Sequence, residues 1–143
     1  MKKVGLLVIG LCACFMMFTG CGKKNTLNCE INMDSYMSGM GHMKGIYDIG
    51  FDKDGYASNV EVTMEAEITS ADVKDSDMAT IKAYLEQVCS TNGSAYDTCN
   101  VKVKGKTVIM TATGSAKNVT NSSDLKTKEE AKEYFENVGF TCK

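Results

Sequence analysis

The chain has 143 residues, with 16 lysines, 18 acidic residues, one histidine and a formal net charge of −2. It has neither tryptophan nor arginine, so it lacks the guanidinium groups that clamp phosphate and carboxylate in a bidentate manner. Because it also lacks a basic stripe that could neutralise phosphates, the composition excludes a nucleic-acid partner, and the length is that of one domain.

The first 21 residues have the order of a secretory signal that ends in a cysteine. Met1-Lys2-Lys3 is a positive start, Val4 to Phe18 carries no charge, and the small residues Thr19-Gly20 precede Cys21. This is the sequence of regions found in signal peptides. The run Phe18-Thr19-Gly20-Cys21 resembles the lipobox of bacterial lipoproteins, and the resemblance implies a diacylglyceryl group on Cys21 and cleavage just before it.

Two alternatives to this reading stay open. The run Leu11-Cys12-Ala13-Cys14 also has lipobox character, and cleavage before Cys14 would shorten the apolar region. The apolar stretch could instead remain as an uncleaved membrane helix stopped by Lys23-Lys24, although it is slightly shorter than the roughly 20 residues that a spanning helix needs.

The preferred reading divides the chain into a signal (residues 1–20), a lipidated anchor with a short linker (21–27) and one domain (28–143). Cleavage removes Lys2 and Lys3, so 14 lysines would face 18 acidic residues in the mature chain. A single acyl chain gives only marginal membrane binding, whereas two anchor firmly. We therefore expect a lipid-anchored protein on the outer side of the cytoplasmic membrane, with the bilayer as its first partner and Lys23 and Lys24 near the head groups.

Four further cysteines, Cys29, Cys89, Cys99 and Cys142, remain for the domain. An even number of cysteines in an exported chain indicates disulfides, and four cysteines allow three pairings. We favour Cys89–Cys99 with Cys29–Cys142, which would close a helix-to-strand loop and tie the start of the domain to its end. Four reduced, buried thiols are the alternative, and the spacing fits neither a structural zinc site nor a redox Cys-x-x-Cys motif.

The domain itself shows strand periodicity interrupted by two helical segments. Alternation of apolar and polar residues predicts strands over 27–34, 45–52, 56–68, 99–103 and 107–113, with hairpins at 51–56 and 104–106. Helical spacing of Met78, Ile81, Tyr84, Leu85 and Val88 predicts a helix over 76–90, and residues 114–125 look like a loop. We expect an α+β fold, an antiparallel sheet of about five strands in the order βββαββα with two helices on one face.

The second helix has the clearest local signal. Thr127-Lys128-Glu129-Glu130 is a capping box, Gly139 ends the helix and Phe140 is expected to fold back onto Phe135. The predicted buried stripe consists of Ala131, Tyr134, Phe135 and Val138. With the lipobox, the strands and this closing helix, the layout from Cys21 to Cys142 resembles the YehR-like small bacterial lipoproteins. That family is uncharacterised, so the resemblance implies no active-site residues.

One segment suggests metal chemistry. Thioether and imidazole groups suit Cu(I), and the segment 37–43 contains the only histidine among three methionines: Met37, Met40, His42 and Met43. The alternative is a flexible hairpin connection in a methionine-rich chain, because methionine commonly fills gaps in cores.

Other chemistries are disfavoured. Asp52-Lys53-Asp54-Gly55 lacks the remaining ligands of a calcium loop. Glu61, Glu65 and Glu67 are explained by alternation on a solvated strand face rather than by acid–base catalysis.

We expect that the protein is not an enzyme and uses no cofactor. The expected function is a binding or structural module of the cell envelope with a possible envelope protein partner, and the alternatives are copper handling or a hydrolase inhibitor acting through residues 38–44 or 91–98.

Overall fold

A computed structural model describes residues 25–91, 96–119 and 127–143. Six strands lie in this part of the chain: β1 (Thr26–Asn32), β2 (Gly41–Phe51), β3 (Ala57–Ile68), β4 (Thr98–Lys104), β5 (Thr107–Ser115) and β6 (Thr141–Cys142). The helices are α1 (Asp75–Thr91), the four-residue α2 (Ala116–Val119) and α3 (Lys128–Asn137), with a short 3-10 turn at Asp34–Met37. The predicted α+β fold is confirmed, with one strand more than expected.

The six strands form one antiparallel sheet in the order β4-β5-β3-β2-β1-β6. The register aligns the alternating residues of neighbouring strands, so each row across the sheet belongs to one face. One such row runs through Cys99, Ala112, Val62, Tyr47 and Cys29. The next row runs through Asn100, Thr111, Thr63, Ile46 and Glu30. We call the first the apolar face and the second the polar face.

Both longer helices pack on the apolar face, in two separate clusters. Ala131 and Phe135 of α3 join Leu27, Ile49 and Val60 in a cluster over β1, β2 and β3. Met78 of α1 joins a smaller cluster at the other end of the same face, with Ile68, Val101 and Val108. Burial of apolar side chains stabilises a fold by about 25 cal/mol per Å², and here that burial is divided between the two ends of the face.

Both ends of α3 have the capping interactions that the sequence predicts. Thr127 caps α3 by accepting from the Glu130 N–H, and the Glu130 side chain accepts from the Thr127 N–H. Gly139 has a φ of 98°, the Phe140 N–H donates to the Phe135 carbonyl at 3.0 Å, and the two rings lie 5.0 Å apart. The predicted end of this helix is therefore confirmed.

Several element bounds differ from the expectation. β1 begins at Thr26 and buries Leu27 completely, two residues before the expected domain boundary at 28. β2 begins at Gly41 rather than at 45. The Glu67 carbonyl of β3 comes so close to Gly41 that a Cβ atom there would clash with it, which accounts for the glycine within the strand. Residues 114–119, expected in a loop, continue β5 and form α2.

The helix stripes are also narrower than predicted. Tyr84 is 66% exposed, and the contact of α1 with the sheet involves Met78, Ile81, Leu85 and Cys89 instead. Tyr134 and Val138 of α3 are 45% and 53% exposed.

Both favoured cysteine pairs are disulfide-bonded. Cys29 joins Cys142 across β1 and β6, and Cys89 at the end of α1 joins Cys99 in β4. A two-residue strand such as β6 has little pairing of its own, so the covalent link holds the end of the chain on the sheet. Within the described residues, no helix has the length and apolar character needed to cross a bilayer.

Candidate functional site

The polar face carries the charged and hydroxyl groups of the sheet. Its rows contain lysines of β2 and β4, acidic residues of β1, β2 and β3, and threonines of β5, as their register shows. Both longer helices lie on the opposite face. Among the residues that the structure describes, the polar face is therefore the larger surface open to a partner.

Asp34 is the most highly connected side chain at one end of this face. It lies two residues after the end of β1, and its Oδ1 accepts from the Met43 N–H at 2.7 Å. Its Oδ2 lies 3.1 Å from both the Asn32 amide nitrogen and the His42 Nδ1. These contacts fasten the connection between β1 and β2 to the start of β2.

The same contacts change the acidity of Asp34. The backbone N–H of Met43 lowers the pKa of the Asp34 carboxyl below its ordinary value, and the His42 and Asn32 side chains lower it further. A carboxylate that accepts several hydrogen bonds is stabilised in its ionised form. Asp34 is therefore a fixed negative group beside the histidine.

A shallow hollow of about 270 Å³ lies next to this carboxylate on the polar face. Four acidic residues and one lysine line it, together with His42: Glu30, Asp34, Glu65, Glu67 and Lys44. The Lys44 Nζ is 3.1 Å from the Glu65 Oε2, so these two charges offset each other. The remaining carboxylates give the hollow a negative balance.

The chemistry available in the hollow is recognition by hydrogen bonds and charge. In the described part of the chain, no group of three or more His, Cys, Asp or Glu side chains is placed to hold a metal. Glu61, Glu65 and Glu67 lie along β3 on the polar face, as the alternation predicts. The hollow suits a ligand with amine or hydroxyl donors, because its carboxylates accept hydrogen bonds.

The structure does not bring together the four residues of the predicted copper site. His42 and Met43 are successive residues of β2, so their side chains leave the sheet on opposite faces. Met37 packs against the cluster under α1, and Met40 is 48% exposed at the turn. Because β2 already begins at Gly41, strand alternation directs the His42 imidazole away from the face that carries Met43.

The other segments singled out from the sequence have ordinary structural positions. The Asp52 Oδ1 accepts from the backbone N–H groups of Asp54 and Tyr56 at 2.9 and 3.0 Å, which closes a hairpin turn. Most of the 38–44 segment is strand rather than an inhibitory loop, because β2 starts at Gly41. The predicted lipidation site Cys21, its alternative Cys14 and residues 92–95 of the second candidate loop lie outside the described residues.

Asp34 and Lys44 are site residues that the sequence analysis missed. The available signal was the pair Asn32 and Asp34 at the end of a strand, a spacing at which side chains commonly bond nearby backbone. Here the Asp34 N–H donates to the Asn32 Oδ1 at 2.8 Å. The contacts of the Asp34 carboxylate with β2 depend on where that strand begins. Gly39 and Gly41 made the start of β2 hard to predict from the sequence.

Comparison of the chain with protein-family models, with curated protein sequences and with solved structures found no match in any of the three.

Proposed function

We propose that this protein is a lipid-anchored module outside the cytosol that binds a component of the bacterial cell envelope through its polar face. The observation that carries the proposal is the pair of disulfides, Cys29–Cys142 and Cys89–Cys99, in a chain whose first residues resemble a secretory signal. Structural disulfides form and persist in oxidising, extracytoplasmic compartments. The lipobox-like run at Cys21 supplies the anchor, and the proposal includes kinship with the YehR-like lipoproteins.

The geometry of the domain supports a definite orientation on the membrane. Only four residues, 22–25, separate Cys21 from the start of β1. An extended chain spans at most about 3.6 Å per residue, so the start of β1 stays within about 20 Å of the anchor. The Asn25 carbonyl accepts from the Phe51 N–H, which places the hairpin between β2 and β3 at the same end.

The opposite end of the sheet is then the outer end. β3 has twelve residues, and a strand rises about 3.3 Å per residue, so the two ends of the sheet are about 40 Å apart. The turn with Tyr36 and the hollow beside Asp34 lie there, because β2 begins at this end. The orientation keeps the negative hollow away from anionic head groups.

The first experiment tests the anchor. Cells expressing the full chain are grown with an alkyne fatty acid, and labelling of the wild type is compared with Cys21→Ser and Cys14→Ser variants. The proposal predicts that the label is lost from Cys21→Ser alone and that the wild type is digested when intact protoplasts are treated with protease. Labelling that survives in Cys21→Ser, or a wild type that is protected from protease, would contradict it.

The second experiment tests the binding surface. A photo-crosslinking amino acid replaces Glu61, which is exposed on the polar face, or Ala83, which is exposed on α1. The proposal predicts that illumination of cells gives discrete adducts of the membrane-anchored chain from position 61 and none from position 83. Equal adduct formation at both positions, or at neither, would count against the polar face.

A further inference from the structure

The middle of the apolar face, between the two helix-covered clusters, is rich in methionine. Four methionines belong to this face by register and are half-buried: Met33, Met43, Met64 and Met110. Met64 pairs directly with Met110 across β3 and β5. The Met33 N–H donates to the Met43 carbonyl at 2.7 Å, which continues the β1–β2 ladder by one bond.

Gly45 lies at the centre of this group. A Cβ atom built on Gly45 would be 3.3 Å from the Ile31 Cγ2, and 3.4 Å from both the Met33 Sδ and the Met64 Sδ. The two sulfur atoms can therefore be no farther apart than twice that distance. The glycine leaves open the space that a side chain would otherwise fill, and the two thioethers converge over it from neighbouring strands.

We propose that the methionine side chains around Gly45 bind a soft monovalent metal ion, Cu(I) or Ag(I), with Met33 and Met64 as the first ligands and Met43 as the third. Thioethers are soft ligands that select such ions, and methionine has three rotatable bonds with which to adjust to an ion. Met43 lies opposite Met33, as the hydrogen bond between their backbones shows. Side chains directly opposite on an antiparallel pair have Cβ atoms about 5 Å apart, so the Met43 thioether can supply a third ligand.

Packing in the two clusters accounts for two of the four methionines. Met64 packs against the α3 cluster and Met110 against the α1 cluster, whereas Met33 and Met43 are in neither of the two described clusters. The four domain cysteines are disulfide-bonded and offer no competing thiolate. Because the methionines are half-buried rather than enclosed, an ion can reach them from solvent.

The site differs from the one expected at residues 37–43. His42 is on the polar face and takes no part, and Met40 extends from the turn. The inference does not depend on lipid anchoring, because it uses only the described strands. A failure of the lipid label would leave it unaffected, and a failure of metal binding would leave the anchor unaffected.

The test uses the full chain in detergent micelles with free thiols capped by N-ethylmaleimide and with ¹³C-labelled methionine methyl groups. Ag(I), which is not oxidised by air, is added, and the methyl resonances are followed by NMR. The proposal predicts saturable shifts of the Met33 and Met64 methyl groups at one equivalent. Uniform weak shifts of all methionines, or no shift, would overturn it.

Four variants make the assignment specific. Met33→Leu and Met64→Leu keep the side-chain volume nearly unchanged and are predicted to weaken Ag(I) binding by about tenfold or more, whereas Met40→Leu is predicted to bind like the wild type. Gly45→Ala introduces a methyl group between the sulfurs and is predicted to reduce affinity by a comparable factor. Retained binding in Met33→Leu and Met64→Leu, or its loss in Met40→Leu, would place the ion elsewhere and refute the site.

Melting curves without the ion establish that each variant is folded. If Met33→Leu or Met64→Leu is unfolded, isoleucine replaces the methionine at the same position.

Discussion

Cys29 and Cys142 face each other as a directly paired couple of β1 and β6, with their Cα atoms 4.1 Å apart. The neighbouring residues Asn28 and Lys143 exchange both of their backbone hydrogen bonds, at 3.3 and 2.8 Å. The cysteines therefore occupy a non-hydrogen-bonded position, where paired side chains approach most closely. One covalent bond and two hydrogen bonds fasten the end of the chain to its first strand.

Loss of this disulfide should cost more stability than loss of the other one. It closes 113 residues, whereas Cys89–Cys99 closes 10, and in the chain-entropy description longer loops give larger effects, about 4–5 against about 3 kcal/mol. We expect Cys29→Ala/Cys142→Ala to lower the free energy of unfolding more than Cys89→Ala/Cys99→Ala. Urea denaturation followed by circular dichroism measures both, and the reverse order would contradict the role assigned to β6.

Asp34 should make the free energy of unfolding depend on pH. Its pKa is lowered in the folded state by the Met43 N–H and by His42, whereas the unfolded value is about 3.9. A group with a depressed folded pKa contributes stability above its unfolded pKa, and the contribution is lost as the pH falls through the folded pKa. We expect Asp34→Asn to be less stable than the wild type at pH 7 and to converge with it in acid.

The measurement for Asp34 is the urea midpoint between pH 7 and pH 2. Asp54→Asn changes the net charge equally at an exposed turn and serves as the control. Parallel profiles of the wild type and Asp34→Asn over the whole range would show that the Asp34 contacts do not stabilise the fold.

The capping box of α3 should contribute measurably to stability. Thr127 and Glu130 satisfy each other's backbone N–H groups, and replacing such an N-cap by alanine costs about 0.5–2 kcal/mol. We expect Thr127→Ala to lower the melting temperature and Thr127→Ser to leave it nearly unchanged. Equal melting of both variants would mean that α3 is held by its packing alone.

The proposed orientation makes a distance prediction. Fluorophores are attached at Asp54→Cys, on the hairpin near the anchor, or at Tyr36→Cys, which replaces a side chain that is 76% exposed at the other end. In nanodiscs with spin-labelled head groups, the label at 54 should be quenched strongly and the label at 36 weakly. Equal quenching would mean that the sheet lies flat or turns freely on the membrane.

Local features of the fold were predictable from the sequence because they depend on a few neighbouring residues. The Gly55 hairpin, the Thr127 cap and the Gly139 helix end are each determined by turn or cap chemistry. The alternating faces of β1 and β3 were equally readable. The disulfide pairing followed from the expected places of these elements in the chain.

Features that depend on tertiary contact were not predictable. Gly41 resembles a strand breaker in the sequence, but the closeness of the Glu67 carbonyl makes glycine necessary within β2. β6 is too short to show any periodicity and exists as a partner of β1. The start of β2 then decides that His42 and Met43 point to opposite faces, so the candidate copper site could not be judged without the fold.

We propose above that acyl chains on Cys21 hold a disulfide-linked domain outside the cytosol. The most direct measurement is mass spectrometry of the protein purified from membranes without reduction, with peptide mapping of its N-terminus. We predict an N-terminal Cys21 carrying a diacylglyceryl group and four domain cysteines without free thiols. A membrane-bound protein that retains Met1, carries no lipid on Cys21 and contains reduced Cys29 would contradict the account.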